Sequence, residues 1–213
     1  MKIKMNVPNM LTMARIFCTP IMVLMFLLPI NNGIGVYIAL GIYVLGCLTD
    51  LLDGKIARKY NLITDFGKFM DQIADKFITT TAMILVVFAG ATAGWLPTWL
   101  SILMLLVVVL RDILISGIRM VAANKNFVIA ADIYGKVKSC FLDAANMVLM
   151  LYIALRVCNT CKLVDYVKYF GLAIMVVGVV LSVVSCVNYS VKAVQGLAAK
   201  ETAEKEEDVE ENK

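Results

Sequence analysis

The chain has 213 residues, of which 61% are hydrophobic, and its mean hydropathy is +0.85. Soluble domains average about 45–50% apolar residues, so this excess cannot be hidden in one compact core and predicts an integral membrane protein. The chain has no histidine and a formal net charge of only +4, which excludes imidazole chemistry, His-ligated zinc, a disordered chain and a nucleic-acid-binding module.

Apolar runs divide the chain into six predicted transmembrane helices, each near the ~20 residues that cross a bilayer. In chain order they cover residues 10–30, 34–57, 66–90, 96–119, 137–158 and 168–195. Turn residues lie between the spans at 29–33, 90–97 and 158–161. The sequence therefore predicts an all-α integral membrane domain over residues 1–199, followed by a disordered acidic cytoplasmic tail at 200–213.

The basic residues predict the orientation of this domain. The tail holds seven acidic and three basic residues, which leaves the rest of the chain with a net charge of +8. Most lysines and arginines lie on one side of the predicted spans, and the opposite side has only Arg156, Lys162 and Lys168. The positive-inside rule then predicts a protein of the cell membrane with both termini facing the cytoplasm.

The acidic residues of the spans are clustered. All nine acidic residues before position 200 are aspartates, and five of them lie between Asp50 and Asp75. An acidic side chain in a membrane span is costly and is a functional candidate by default. Asp50 and Asp53 share one face of the second predicted helix, while Asp71 and Asp75 share one face of the third. A helical hairpin with its turn near residues 60–64 would bring these faces together.

Carboxylates that face one another repel unless cations lie between them. Hard oxygen ligands favour Mg²⁺ or Mn²⁺, and four carboxylates suit two ions about 3.5–4 Å apart. Gly54, Ala57 and Gly67 leave room on the same faces for a bulky ligand or for close helix packing. Arg58 adds a charge suited to phosphate, or to marking the topology. The predicted metal ligands are Asp50, Asp53, Asp71 and Asp75.

This segment resembles the signature of the CDP-alcohol phosphatidyltransferases, D-x-x-D-G-x-x-A-R-x8-G-x-x-x-D-x-x-x-D. The eight fixed positions of that pattern are Asp50, Asp53, Gly54, Ala57, Arg58, Gly67, Asp71 and Asp75. The six-helix fold of the family also agrees with the number of predicted spans. The resemblance implies transfer of a phosphatidyl group from CDP-diacylglycerol to an alcohol, with release of CMP.

The same resemblance implies roles for single residues. The four aspartates would hold two Mg²⁺ or Mn²⁺ ions, and Asp75 would be the general base for the acceptor hydroxyl. Gly54, Ala57 and Gly67 would form the cytidine pocket, with Arg58 near the phosphates. Direct attack of the alcohol is preferred to a covalent enzyme intermediate, because the chain has no histidine and no activated serine motif. Homodimerisation is also what the family implies.

Two further segments resemble the bacterial branch of this family that makes phosphatidylglycerophosphate from sn-glycerol 3-phosphate. The first covers residues 7–20, where Asn9, Thr12 and Arg15 are candidates for closing over the CDP-lipid. The alternative role for Pro8 and Asn9 is to begin the helix. The second covers residues 111–119 and 130–138. Asp112 departs mildly from that branch, which often has Glu there, and no chemical role is assigned to it.

Four cations of the second segment are candidates for binding the acceptor phosphate. A phosphate dianion needs several cationic donors, which these residues would supply at the cytoplasmic interface. The same residues would also act as topology signals, and charge alone does not separate glycerol 3-phosphate from inositol phosphate. The candidates are Arg111, Arg119, Lys136 and Lys138.

Other interpretations stay open at this point. A sibling enzyme of the family would use inositol phosphate, serine or phosphatidylglycerol as the acceptor. A small cation transporter would place its ligands near mid-membrane rather than beside a basic turn. For Asp143 an ion pair is favoured over a contact with substrate. Cys158 and Cys161 form a C-x-x-C that is compatible with a disulfide.

Overall fold

The computed structural model describes residues 7–28, 33–59, 65–124, 133–158 and 162–211. Within these ranges all regular secondary structure is helical, which confirms the predicted all-α class. The helices are α1 (Val7–Leu27), α2 (Ile34–Lys59), α3 (Asp65–Thr92), α4 (Thr98–Asn124), α5 (Ile133–Cys158) and α6 (Lys162–Glu211).

Five of these helices contain an apolar stretch long enough to cross a membrane. In the described ranges these stretches are Asn9–Leu27, Met70–Thr92, Thr98–Met120, Val137–Val157 and Val164–Gly196. The apolar part of α2 is shorter and covers Ile34–Asp50. The helix itself has 26 residues, about 39 Å at ~1.5 Å per residue, so its length exceeds a hydrocarbon core of ~30 Å. Its apolar stretch is short because the charged residues occupy its last third.

Large apolar side chains cover the outer surfaces of the helices. Phe17 is 67% exposed, Ile113 is 62% exposed and Trp99 is 68% exposed. Apolar surface of this extent is unfavourable in water, so the surrounding medium must be lipid. The protein is an integral membrane protein.

The chain divides into two compact units. Unit 1 consists of Met1–Ile102 and Asp143–Met175, and unit 2 consists of Leu103–Leu142 and Val176–Lys213. Helices α1, α2 and α3 belong to unit 1, whereas α4, α5 and α6 contribute a segment to each unit. The membrane helices are therefore themselves divided, a feature that the sequence does not predict.

In unit 1, α1 packs against α2 and α3, and α2 packs against α3. The buried face of α1 repeats every three or four residues, as expected for a helix. Its first half is polar and its second half is apolar. The residues of this face are Asn9, Thr12, Arg15, Thr19, Met22 and Phe26. Buried polar groups require partners, so the first half of α1 must meet polar groups of its neighbours.

The last helix is longer than predicted. It runs without a break to Glu211, through the tail that the composition predicts to be disordered. The sequence after Gly196 has no glycine or proline and is rich in alanine, glutamate and lysine, which are strong helix formers. Composition argues against a packed core in this segment, but a helix needs only its own backbone hydrogen bonds.

The connection between α3 and α4 matches the predicted turn at 90–97. Gly94 has a positive φ of 67°, which glycine adopts without strain. The carbonyl of Pro97 accepts hydrogen bonds from the backbone N–H groups of Leu100 and Ser101 and so begins α4. The predicted turn at 60–64 and most of the C-x-x-C turn at 158–161 lie outside the described residues.

Candidate active site

Arg15 lies at the centre of the aspartate cluster. Its side chain is only 1% exposed, and its Nη1 atom is 2.6 Å from Oδ1 of Asp50 and 3.6 Å from Oδ1 of Asp71. Asp50 belongs to α2 and Asp71 to α3, so a single guanidinium on α1 links the carboxylates of both helices. The two predicted aspartate faces therefore do meet, and Arg15 offsets the repulsion between them.

Gly46 lies beside this contact. It precedes Asp50 by one turn and lies on the same face of α2. A β-carbon at position 46 would collide with Cδ1 of Ile78 on α3 and would lie 3.8 Å from Cγ of Arg15. A side chain here would therefore displace the end of the Ile78 side chain, whereas its contact with Arg15 would be an ordinary van der Waals contact.

The two aspartates of α3 have different surroundings. Oδ1 of Asp71 is buried and has no hydrogen-bond partner among the described residues. Asp75 lies one turn further along and is exposed. Because buried polar atoms are usually satisfied, the Asp71 oxygen is suited to a bound cation, while Asp75 is accessible to a reacting group.

The donors at this site fit a hard divalent cation. Carboxylate oxygens are the ligands that Mg²⁺ and Mn²⁺ prefer, and the unsatisfied oxygen of Asp71 is of this type. Among the side chains that the structure describes, no three acidic or thiol groups cluster closely enough to hold a metal. Asp53, the fourth predicted ligand, lies on α2 outside that set of side chains.

The predicted CDP-lipid residues are described only in part. Asn9 and Thr12 are buried on the polar face of α1, at 7% and 3% exposure. Gly67 is half-buried near the start of α3. The remaining three residues are Gly54, Ala57 and Arg58 of α2. Their side chains are not among those that the structure describes.

Asp143 joins three helices of unit 1. Its Oδ1 atom accepts hydrogen bonds from the Tyr43 hydroxyl of α2 at 2.9 Å and from Oγ1 of Thr79 of α3 at 3.1 Å. Asn146 lies one turn further along α5 and donates to the same Tyr43 oxygen at 3.4 Å. The sequence favoured an ion pair for Asp143, whereas the structure shows two hydroxyl groups donating hydrogen bonds to its Oδ1 atom. Thr79 follows Asp75 by one turn, so this network fixes the helix that presents Asp75.

In unit 2, Asp112 organises two of the predicted acceptor cations. Its Oδ1 atom accepts hydrogen bonds from Nη1 of Arg111 at 2.8 Å and from Nζ of Lys138 at 2.5 Å. Nη2 of Arg111 also donates to Oγ of Ser185 on α6 at 2.7 Å. Segments of α4, α5 and α6 therefore meet around Asp112, to which the sequence assigned no role.

Arg119 is held in a different way. Its Nε atom donates to the Tyr189 hydroxyl at 3.3 Å, and its Cζ atom lies 5.5 Å from the centre of that ring, a cation–π contact. Arg119 is exposed, so part of its guanidinium stays accessible to an anion. The side chain of Lys136 lies outside the described residues.

The sequence predictions assigned no role to Asp112, and they placed Arg15 over the CDP-lipid rather than between the aspartates of α2 and α3. Both carry a charge inside an apolar stretch that the structure identifies as long enough to span a membrane. A charge in such a position is costly unless it is paired. That cost is the signal that could have predicted the ion pairs of both residues.

The fold and the site together define a class of membrane protein, in which two helices present aspartates around a buried arginine. The sequence model of the CDP-alcohol phosphatidyltransferase family matches residues 5–184. The chain belongs to this family.

Curated relatives from several bacteria bear the name CDP-diacylglycerol–glycerol-3-phosphate 3-phosphatidyltransferase. The Bacillus subtilis (strain 168) protein is 34% identical over 157 residues, which cover 69% of this chain and 77% of the relative. The Rickettsia felis protein is 35% identical over 151 residues, covering 71% of this chain and 78% of the relative. The Shigella flexneri serotype 5b protein is 33% identical over 186 residues, covering 86% and 92%.

We predict that Arg15→Met lowers the free energy of unfolding by about 1–3 kcal/mol, because it leaves two carboxylates without their shared counter-charge. Breaking a fully buried pair costs ~3–5 kcal/mol, and the smaller value follows from the 32% exposure of the Asp50 side chain. Thermal unfolding in detergent without added divalent cations measures the change.

The double variant Arg15→Met/Asp50→Asn should recover part of this loss, since it removes one uncompensated charge. Arg156→Met, which removes an exposed cation of α5, is the control and should change stability by less than about 0.5 kcal/mol. Strictly additive losses in the double variant would contradict the pairing.

Proposed function

We propose that this protein transfers the phosphatidyl group of CDP-diacylglycerol to sn-glycerol 3-phosphate, giving phosphatidylglycerophosphate and CMP. The observation that carries the proposal is the convergence of Asp50 and Asp71 on Arg15. Asp50 belongs to the first half of the family's signature and Asp71 to the second. Family membership supports the transferase chemistry, and the names of the bacterial relatives support glycerol 3-phosphate as the acceptor.

In this mechanism Asp75 is the general base. Its exposed carboxylate takes the proton from the acceptor hydroxyl, and the hydroxyl oxygen attacks the β-phosphorus of CDP-diacylglycerol. A new P–O bond forms to the acceptor, the P–O bond to CMP breaks, and CMP leaves with the bonding electron pair. Arg15 holds the carboxylates of α2 and α3 in place throughout.

Two Mg²⁺ or Mn²⁺ ions, bound by Asp50, Asp53, Asp71 and Asp75, would neutralise the diphosphate and the charge that develops on CMP. Around them, the chain binds the nucleotide lipid through small residues and a phosphate-directed arginine. Asn9 and Thr12 order the first half of α1 against this region. The proposed CDP-lipid residues are Gly54, Ala57, Arg58, Gly67, Asn9 and Thr12.

The acceptor phosphate binds the cations of unit 2 in this proposal. Arg111, Lys138 and Asp112 together carry a net charge of +1, and Arg119 and Lys136 raise it to +3. A positive charge of this size suits a phosphate dianion. Asp112 keeps two of the cations in a fixed orientation, so it acts as a positioning residue.

We further propose that both termini and the active site face the cytoplasm, where a soluble acceptor is available. The distribution of lysine and arginine supports this orientation. The same proposal includes a homodimer, as the family implies.

An acceptor screen tests the proposed function. With purified protein, CDP-diacylglycerol and Mg²⁺, we expect CMP release in the presence of sn-glycerol 3-phosphate and not with inositol phosphate, serine or phosphatidylglycerol. Chelation with EDTA should stop the release, and added Mg²⁺ or Mn²⁺ should restore it. Turnover with inositol phosphate alone would overturn the acceptor and spare the class, whereas no turnover with any acceptor would contradict the class.

The base role of Asp75 predicts a specific kinetic defect. Asp75→Asn should lower turnover by about 10²- to 10⁴-fold, the range that general base catalysis supplies. Binding of CDP-diacylglycerol, measured by equilibrium dialysis, should change by less than about threefold. Asp208→Asn in the acidic tail is the matched control. Near-normal turnover of Asp75→Asn would remove this residue from the base role.

The positioning role of Asp112 predicts an effect on the acceptor alone. Asp112→Asn should raise KM for glycerol 3-phosphate by about 10- to 100-fold, as expected when a charge-assisted hydrogen bond worth ~1.5–3 kcal/mol is lost. KM for CDP-diacylglycerol should stay within about twofold. Asp112→Glu, which keeps the charge, should recover most of the acceptor affinity. An equal rise in both KM values would argue for a general structural defect instead.

A further inference from the structure

A cleft lies in unit 1, away from the aspartate cluster. It has a volume of about 410 Å³ and is formed by the end of α3, the α3–α4 turn, the end of α5 and the start of α6. Thr92 at this cleft follows Asp71 by 21 positions, about 32 Å along α3. That distance is the thickness of a hydrocarbon core, so the cleft lies at the opposite membrane interface.

Aromatic rings form one wall of the cleft. The rings of Trp95 and Tyr152 meet edge to face, with their centres 5.5 Å apart. Trp95 packs onto Gly90, where a β-carbon would lie 3.1 Å from the indole. Tryptophan and tyrosine favour the depth at which acyl chains give way to headgroups. The wall is therefore suited to the glycerol region of a lipid.

Two cations, Arg156 and Lys168, also line the cleft. Nζ of Lys168 lies 5.8 Å from the centre of the Tyr152 ring and 3.3 Å from Oδ1 of Asp165. Arg156 is exposed and forms no hydrogen bond or ion pair with any side chain that the structure describes. Two cations and one carboxylate give the cleft a net charge of +1, with one guanidinium available to an anion.

The position of these cations is unusual for a membrane protein. In the proposed orientation, the outer side of the spans carries only Arg156, Lys162 and Lys168, and two of the three line this one cleft. The positive-inside rule disfavours cations on that side, so topology does not explain them. A bound anion does.

We propose that this cleft binds an anionic phospholipid of the leaflet opposite the active site. Its phosphodiester would accept hydrogen bonds from Arg156 and Lys168, and its glycerol backbone would pack against Trp95 and Tyr152. Asp165 would accept a hydrogen bond from a headgroup hydroxyl, which phosphatidylglycerol supplies and phosphatidylcholine does not. The site is separate from the aspartate cluster and does not depend on the proposed activity.

Trp95 provides a direct readout of occupancy. The chain has two tryptophans, so Trp99→Phe leaves Trp95 as the only one. In phosphatidylcholine nanodiscs with increasing phosphatidylglycerol, we expect a saturating change in Trp95 emission. Arg156→Gln and Lys168→Gln, each made in the Trp99→Phe background, should weaken the apparent affinity at least fivefold and leave CMP release unchanged. Lys192→Gln, 24 positions after Lys168 on the same helix, is the matched control and should bind as the parent does.

Three outcomes would overturn the proposal. An equal response to phosphatidylethanolamine at the same mole fractions would exclude selection of an anionic lipid. Saturation of the signal by free glycerol 1-phosphate or inorganic phosphate would exclude a lipid ligand. Unchanged affinity in both glutamine variants would exclude this cleft as the site. Since the Arg156 side chain is exposed, its replacement tests the contact without disturbing packing, and thermal unfolding verifies that each variant is folded.

Discussion

The contact of Arg15 with Asp50 and Asp71 is the interaction on which the aspartate site depends. Carboxylates on adjacent helices repel in a medium of low dielectric constant, and a buried charge without a partner is strongly destabilising. By inserting one guanidinium from α1 between α2 and α3, the fold compensates both carboxylates at once. Arg15 belongs to the polar first half of the buried face of α1, and Gly46 lies beside it on α2.

The same physical rule governs unit 2 with the signs reversed. There a single carboxylate, Asp112, lies between the cations Arg111 and Lys138 and joins segments of three helices. In unit 1, Asp143 on α5 joins α2 and α3 by accepting hydrogen bonds from the hydroxyl groups of Tyr43 and Thr79. In each case a charged side chain that would be costly in lipid instead connects neighbouring helices through its polar contacts. The groups that carry the proposed chemistry are thereby held on rigid elements.

Unit 1 has polar groups at both of its membrane interfaces, and they differ in character. Near the start of α3 the groups are carboxylates around one arginine, which suits cations and phosphates. Near the end of α3 they are cations beside Trp95 and Tyr152, which suits the headgroup of a lipid. The apolar stretch between them spans the hydrocarbon core, so an enzyme that uses a lipid substrate contacts both leaflets through one compact unit.

The sequence by itself determined the helices and the aspartate faces. Apolar runs and turn residues indicate where each span begins and ends, and spacing by three or four positions places Asp50 and Asp71 on faces that meet. It did not predict the helical continuation of the tail, where local propensity outweighs the polar composition. Only the tertiary structure decided which charges pair. Arg15 and Asp50 are 35 positions apart, Asp112 and Lys138 are 26 apart, and Thr79 and Asp143 are 64 apart. Such contacts follow from the packing of separate helices, and the periodicity within any one helix holds no information about them.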